Sequence, residues 1–542
     1  MTPAPATDSP PPPAHPAIDL RGITKRFGTV VANDQVDLQV AAGSIHGVVG
    51  ENGAGKSTLM SILYGFYQAD EGEIRVHGQR VAIRDSAAAI AHGIGMVHQH
   101  FMLVGTLSAL DNILLGAEGG WRLGGARRRA RAHLEQLMAR YQLLVDLDAP
   151  VDDMPVGEQQ RLEILKALYR GARILILDEP TGVLTPQEAG QLFAILRELR
   201  AQQVTVIIIT HKLQEIMDVT DNVTVMRAGR VVAERRTAET RREELAELMV
   251  GRPVRLQVDK RPASPDSPDA PRAMPALSVR GLGLVDARGC TRLADVSFDL
   301  HPGEILGVAG VSGNGQTELL RTLAGLLQPT SGQMTLATGA APRDFSTQRW
   351  LAPSELRALG CAHVPEDRLS EAVAKDFSLQ ESAVLGYQDD PALAPAGWLS
   401  PAHLRRHAMQ LIEALDVRPA VPALRTADMS GGNQQKLVLA RELVRRPRLM
   451  LVGQPTRGVD IGAIERIYGE LARARDAGTA ILLVSVELEE ILALSDRIMV
   501  MNGGRVTGIV PAASASAREL GLLMTADTRS APTDTDTAIA TP

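Results

Sequence analysis

Aromatic side chains make up only 3% of this 542-residue chain, and it holds just two cysteines, Cys290 and Cys361. Two cysteines in so long a chain suggest neither a disulfide framework nor a zinc site. Long apolar runs are missing too. Val204 to Thr210 is the longest strand-like run, far short of the roughly 18–20 residues that cross a bilayer. A basic excess is also lacking: 57 Lys and Arg face 63 Asp and Glu, a net charge of −6, which argues against a nucleic-acid footprint. The one dense basic run, Arg127, Arg128, Arg129 and Arg131, reads as a solvated helix face. Met1 to Pro16 carries seven prolines and no apolar stretch, so it does not read as a secretory signal. A cytosolic chain is the expectation.

What the chain does have is one glycine loop written twice. Gly50-Glu51-Asn52-Gly53-Ala54-Gly55-Lys56-Ser57 fits GxxxxGK[ST] in full, and Thr58 follows it. At Gly310, 260 positions later, stands Gly310-Val311-Ser312-Gly313-Asn314-Gly315-Gln316-Thr317. The glycines recur, but glutamine replaces the lysine. Length alone suggests roughly two to four domains, and the repeat reduces that to two homologous halves.

The first half spans 17–253 and the second 276–526. Residues 254–275 form a linker in which Pro262, Pro265, Pro268, Pro271 and Pro275 alternate with small polar residues; it is expected to be extended. Residues 1–16 and 527–542 read as disordered tails. In each half a strand (Ile45–Val49; Ile305–Ala309) feeds the glycine loop, and a helix follows (Thr58–Tyr64; Glu318–Ala324). After an arginine- and leucine-rich helical region comes a helix starting near Glu158 or Asn433. Two apolar strands follow, Ile174–Leu177 and Val204–Ile209, or Leu449–Val452 and Ala480–Val484. Short apolar runs alternating with helices imply an α/β fold with a mostly parallel sheet covered on both faces.

A glycine loop between strand and helix is a phosphate cradle: backbone N–H groups and the helix dipole face anionic oxygens. Lys56 suits the β- and γ-phosphates, and the Ser57 hydroxyl suits Mg²⁺. Downstream, the apolar run Ile174-Leu175-Ile176-Leu177 ends in Asp178-Glu179-Pro180-Thr181, which puts two acids at the carboxyl edge of the sheet. Asp178 suits the metal, and Glu179 suits activation of a water.

Met429-Ser430-Gly431-Gly432-Asn433-Gln434-Gln435-Lys436 resembles the signature motif of ATP-binding cassette (ABC) ATPases, although Asn433 stands where many cassettes have glutamine. Gln99 in Met96-Val97-His98-Gln99 and His211 in Ile209-Thr210-His211 resemble that family's other motifs. The resemblance spans all but the tails and linker. It implies two tandem ABC-type P-loop domains, each with a helical subdomain, that bind ATP with Mg²⁺ between them. In that reading Phe27 stacks on adenine, Gln99 senses the γ-phosphate and metal, and His211 positions the water. Ser430, Gly431 and Gly432 close over the γ-phosphate, and Asp460 lies in the loop that reaches the first site.

The second half departs from the family where chemistry is concerned. Gln316 replaces the lysine, Gly453-Gln454 the acid pair, Val486 the histidine, Glu366 the glutamine and Asp286 the aromatic. The signature of the first half, Met154-Pro155-Val156-Gly157-Glu158, has proline for serine, which also removes a backbone donor. Losing cation, metal ligand and base together leaves nothing to stabilise phosphoryl transfer there.

The tandem layout is similar to ATP-binding subunits of bacterial importers. That implies two separate transmembrane permease subunits, contacted near His100-Phe101-Met102-Leu103, and indirectly a solute-binding lipoprotein. It also implies peripheral attachment to the cytoplasmic face of the membrane, one copy per transporter and no nucleic acid. Val97–Leu103 and Gly313–Gln316 look more like nucleoside importers than ribose or galactose importers, so a nucleoside is expected, with a monosaccharide as runner-up. A soluble tandem cassette acting on ribosomes or DNA would be expected to be more basic or to carry a long charged insert.

Overall fold

The computed structural model describes residues 15–98, 101–117, 123–182, 184, 186–253, 274–311, 313–339, 341–394 and 397–525. The two expected tails and the linker lie almost wholly outside them, as do Gln99 and His100. The chain divides into two compact units between Val254 and Arg255.

Unit 1 runs β1 (Ile18–Phe27), β2 (Val30–Val40), β3 (Ile45–Gly50), α1 (Lys56–Leu63), β4 (Glu71–Val76), β5 (Gln79–Val81), α2 (Ser86–Ala91) and β6 (Ile94–Val97). It continues through α3 (Ala109–Leu114), α4 (Leu123–Tyr141), α5 (Val156–Tyr169), β7 (Ile174–Asp178), α6 (Pro186–Ala201), β8 (Thr205–Ile209), α7 (Leu213–Val219), β9 (Asn222–Arg227), β10 (Arg230–Arg236) and α8 (Arg242–Val250). The main sheet has the order β10-β9-β3-β8-β7-β6. Its neighbours are parallel apart from the β9–β10 pair at the edge.

Successive residues of a strand point to opposite faces, and β8 buries both. Val206 and Ile208 pack with Leu175, Leu177, Leu162 and Leu196 in one core. Ile207 and Ile209 pack with Ile176, Leu59, Ile18 and Leu20 in the other. Each such aliphatic side chain contributes about 1.5–3 kcal/mol by leaving water, which is why these strands read as unbroken apolar runs. The second core is closed by a sheet of order β2-β1-β4-β5 whose pairs are all antiparallel. There the pattern alternates: Val36, Leu38 and Val40 are buried while Gln35, Asp37 and Gln39 face out.

Unit 2 repeats the plan. Its first sheet has the order β12-β11-β14-β15, from β11 (Leu277–Val285), β12 (Thr291–Leu300), β14 (Ser331–Leu336) and β15 (Arg343–Ser346). Its main sheet has the order β16-β17-β18-β13-β19-β20, from β13 (Ile305–Gly310), β16 (Cys361–Val364), β17 (Leu449–Gly453), β18 (Ala480–Val484), β19 (Arg497–Asn502) and β20 (Arg505–Pro511). The helices are α9 (Gln316–Leu323), α10 (Pro353–Ala358), α11 (Arg368–Glu371), α12 (Leu379–Ser382), α13 (Pro401–Leu415), α14 (Gly431–Leu443), α15 (Ile461–Asp476), α16 (Leu488–Leu494) and α17 (Ala517–Thr525). The glycine-loop helices α1 and α9 begin two residues earlier than their sequence pattern suggests, because the loop glycine itself is the cap residue.

Candidate functional site

In unit 1, β3 and β7 flank β8, so three loops leave neighbouring carboxyl ends of a parallel sheet, where open α/β sheets bind ligands. The glycine loop follows β3, the acid pair ends β7, and His211 follows β8. Gly55 takes φ 95°, and a Cβ there would lie 2.3 Å from the Ala32 carbonyl. A Cβ on Gly50 would lie 2.3 Å from the Met226 carbonyl. Neither position tolerates a side chain, so the loop can wrap a phosphate only as this sequence writes it. Asn33, fully buried on β2, braces the loop by donating from Nδ2 to the Gly55 carbonyl at 3.1 Å.

Lys56 is buried, and its Nζ donates to the carbonyls of Gly50 (2.8 Å) and Glu51 (3.0 Å). Among the described residues no carboxylate lies within 4 Å of it. Burial lowers its pKa, against the pull of Glu179, Asp178 and Glu51. Asp178 is pushed the other way: burial, then the Glu179 charge, raises its carboxyl, with the Ser57 hydroxyl 3.5 Å away and Lys56 opposing. A desolvated carboxylate beside a serine hydroxyl, without a cation within 4 Å among the described residues, fits an oxygen-ligated divalent ion. No group of three or more His, Cys, Asp or Glu that could hold a metal occurs among the described residues, so phosphate oxygens and water would have to complete such a shell.

Glu179 differs from its neighbour. His211 Nδ1 sits 2.9 Å from its Oε1, and that hydrogen bond, outweighing burial, holds the carboxyl below its ordinary value. Two adjacent acids pushed in opposite directions are suited to different tasks. Glu179 also takes φ 47°, an uncommon backbone for a residue with a side chain. Its N–H donates to the Ile209 carbonyl at 2.8 Å, fixing β7's end against the loop that carries His211.

Phe27 ends β1, is 42% exposed, and meets Tyr67 edge-on with centroids 5.1 Å apart; Lys25 Nζ lies 5.5 Å from its ring. An exposed, braced ring suits base stacking. Tyr67, Asn33 and the buried Glu215 escape sequence reading. Asn33 and Glu215 sit in strand and helix patterns that give no hint of their partners, the Gly55 carbonyl for Asn33 and the hydroxyls of Thr181 and Thr210 for Glu215.

Unit 2 has the same scaffold with different side chains at these positions. Gly315 takes φ 98° where Gly55 takes 95°, and Gln316 Nε2 donates to the Val311 carbonyl at 3.1 Å. Gln454 repeats the left-handed turn at φ 49°, and its N–H donates to the Val484 carbonyl. The Thr317 hydroxyl donates to Glu366 at 2.6 Å. Asp286, at the Phe27 position, organises its own hairpin by accepting from the N–H groups of Arg288 and Cys290 and from Arg292 Nε.

Ser430 stands at the N-cap position of α14 without a side-chain cap bond, and its hydroxyl accepts from Asn433 Nδ2 at 2.8 Å. A Cβ on Gly431 would lie 2.2 Å from Arg368 Nη2, and one on Gly432 3.1 Å from the Gly458 carbonyl. Asp460 caps α15 by accepting from the Ala463 N–H at 2.8 Å, so part of its capacity serves the helix. In unit 1 the corresponding cap of α5 is Pro155, which has no hydroxyl to offer. Of the basic run, Arg127 pairs with Asp111 and Arg131 with Asp148 on exposed surface.

The ABC transporter family profile matches residues 33–182 and 293–457. The chain is 43% identical over 507 residues to the nucleoside import ATP-binding protein NupA of Lactococcus lactis subsp. cremoris, covering 94% of this chain and 97% of that one. It is 39% identical over 508 residues to the ribose import ATP-binding protein RbsA of Chromobacterium violaceum, covering 93% and 96%. Among solved structures, an archaeal ribosome recycling factor, aABCE1, matches with a TM-score of 0.60 over 90% of each chain at 18% identity, a likeness of fold alone. Two glycine loops on two sheets of one order, matched by this profile over both units, have one meaning: the chain belongs to the ABC transporter family, as one of its ATP-binding, ATP-hydrolysing members.

Proposed function

We propose that this chain is the ATP-hydrolysing subunit of a nucleoside importer, with turnover confined to the nucleotide held by unit 1. The observation that carries the reading is the Glu179–His211 pair beside Lys56 and Asp178, set against Gln454, Val486, Gln316 and Gly453 in unit 2. ATP phosphates rest in Gly50–Ser57, with Thr58 on the first turn of α1, and Phe27 stacks on the adenine. Glu179 takes the proton of a water whose oxygen attacks the γ-phosphorus; the bond to the β-phosphate oxygen breaks, giving ADP and phosphate. His211 holds Glu179 ionised and aimed. Ser57, Asp178 and Gln99 would hold Mg²⁺, which neutralises developing charge on the phosphates. Ser430, Gly431, Gly432 and Asp460 of unit 2 are the residues to which the family resemblance gives a part in nucleotide binding.

Two permease subunits and a solute-binding lipoprotein complete the transporter in this reading, with one copy of this chain at the cytoplasmic face of the inner membrane. No helix among the described residues is long and apolar enough to cross a membrane. A cavity of about 270 Å³, lined by Tyr64, Phe66, Met102, Glu163 and Lys166 among others, supports permease contact beside Phe101-Met102-Leu103. The nucleoside assignment rests on the 43% likeness to a nucleoside import protein against 41% for a glucose import protein and 39% for a ribose import protein. Uptake by a deletion strain tests it. Lost nucleoside uptake with normal ribose uptake is expected; the converse makes the sugar reading correct.

A further inference from the structure

Glu215, on α7, is 9% exposed, and its carboxylate accepts from two hydroxyls on different loops. Its Oε1 accepts from Thr181, two residues after Glu179, and its Oε2 accepts from Thr210, the residue before His211, at 3.1 Å. Thr210 Oγ1 in turn accepts from the Lys212 N–H at 3.0 Å, and Lys212 Nζ lies 3.9 Å from Glu215 Oε1. The two loops are thus tied twice beside the 2.9 Å contact between Glu179 and His211: by the backbone bond from Glu179 to Ile209 and by this carboxylate. Glu179 sits at φ 47°, a backbone that persists where its surroundings hold it.

We propose that Glu215 is a positioning residue for hydrolysis: by bridging Thr181 and Thr210 it keeps Glu179 and His211 in hydrogen-bonding register. The inference rests on the reading of Glu179 as the base. Unit 2 keeps a buried carboxyl at the matching place, Glu490, but neither of its oxygens has a hydrogen-bond partner there, and the base and histidine are gone. The repeated scaffold thus carries the carboxyl in both units, while the threonine bridge stands in unit 1 beside Glu179 and His211.

The test is steady-state ATP hydrolysis by the assembled transporter. Glu215→Ala should lower kcat on the order of tenfold, the scale of a displacement well under an ångström at a reacting group. The KM for ATP should stay within about twofold, since no nucleotide contact is lost. Glu215→Gln should recover most of kcat, because an amide can accept from one threonine and donate to the other. Thr181→Val and Thr210→Val, which keep shape and lose one hydroxyl each, should each show part of the loss, so the proposal is tested even where Glu215→Ala does not fold. Unchanged kcat in both valine variants, or a Glu215→Gln variant as slow as Glu215→Ala, overturns the proposal. A Glu179→Gln variant that still turns over sinks the underlying reading instead, and the two failures are distinguishable.

Discussion

Replacing Lys56 by glutamine writes into unit 1 the side chain that unit 2 already carries at Gln316. The structure shows what that swap keeps. Gln316 reaches a loop carbonyl at 3.1 Å, much as Lys56 reaches two at 2.8 and 3.0 Å, and Gly55 and Gly315 differ by 3° in φ. The loop should therefore survive. Burial already disfavours the charged form of Lys56, so a neutral amide removes a cost in the nucleotide-free protein. Stability should change by no more than about 1 kcal/mol, or roughly 2–4 °C in melting temperature. What is lost is a cation facing phosphate. Hydrogen bonds to charged groups are worth about 1.5–3 kcal/mol, so ATP should bind roughly tenfold to a hundredfold more weakly. Calorimetric titration of the purified Lys56→Gln chain with ATP, paired with a melting curve, reads both. Unchanged ATP affinity, or a melting temperature lowered by more than about 10 °C, would refute the reasoning. The reverse swap, Gln316→Lys, should fold and create no turnover, because Gly453 and Gln454 supply neither ligand nor base.

Other outcomes follow from particular contacts. Phe27→Ala should weaken ATP binding by about 1–3 kcal/mol, the worth of one base on an aromatic ring, read by the same titration. Asn33→Ala leaves the Gly55 carbonyl without its buried donor; a stability loss of about 1–3 kcal/mol should appear in denaturant unfolding together with a raised KM. Because His211 holds the Glu179 carboxyl below its ordinary value, the base stays ionised as pH falls toward that value, and the pair's stabilisation is lost only below it. His211→Ala should move the acid limb of the kcat profile upward in pH; an unmoved limb would show that this hydrogen bond does not set the profile.

The parallel sheets were legible because fully buried strands such as Ile174–Leu177 and Ala480–Val484 carry no alternation to confuse the reading. The antiparallel sheet of each unit was not foreseen. Its strand β2 buries one face only, β1 buries neighbouring residues of both faces, and the register shifts of the pair at Ile23 and Lys25 interrupt the alternation. The glycine loop and the acid pair were found from residue type at fixed spacing, and His211 from its resemblance to a motif of the family. The left-handed backbone of Glu179 and Gln454 was not, since nothing in either side chain announces a positive φ. Glu215 was invisible for a different reason: its partners Thr181 and Thr210 lie 34 and 5 residues away, and only the parallel pairing of β7 with β8 brings their loops together. Asp460 was read as lying in the loop that reaches the first site; the structure shows it as the cap of α15.

Hydrolysis confined to unit 1 is tested most directly by single-turnover ATP cleavage in the assembled transporter carrying Glu179→Gln, beside the same measurement on Gln454→Glu. The amide of Glu179→Gln keeps the shape of the base and loses its proton-accepting charge, so cleavage should fall by on the order of a hundredfold or more while ATP still binds. Gln454→Glu should match the unmodified protein, because Gln316, Gly453 and Val486 still leave unit 2 without cation, ligand and histidine. Substantial cleavage remaining in Glu179→Gln, or cleavage by Gln454→Glu clearly above that of the unmodified protein, would contradict the account.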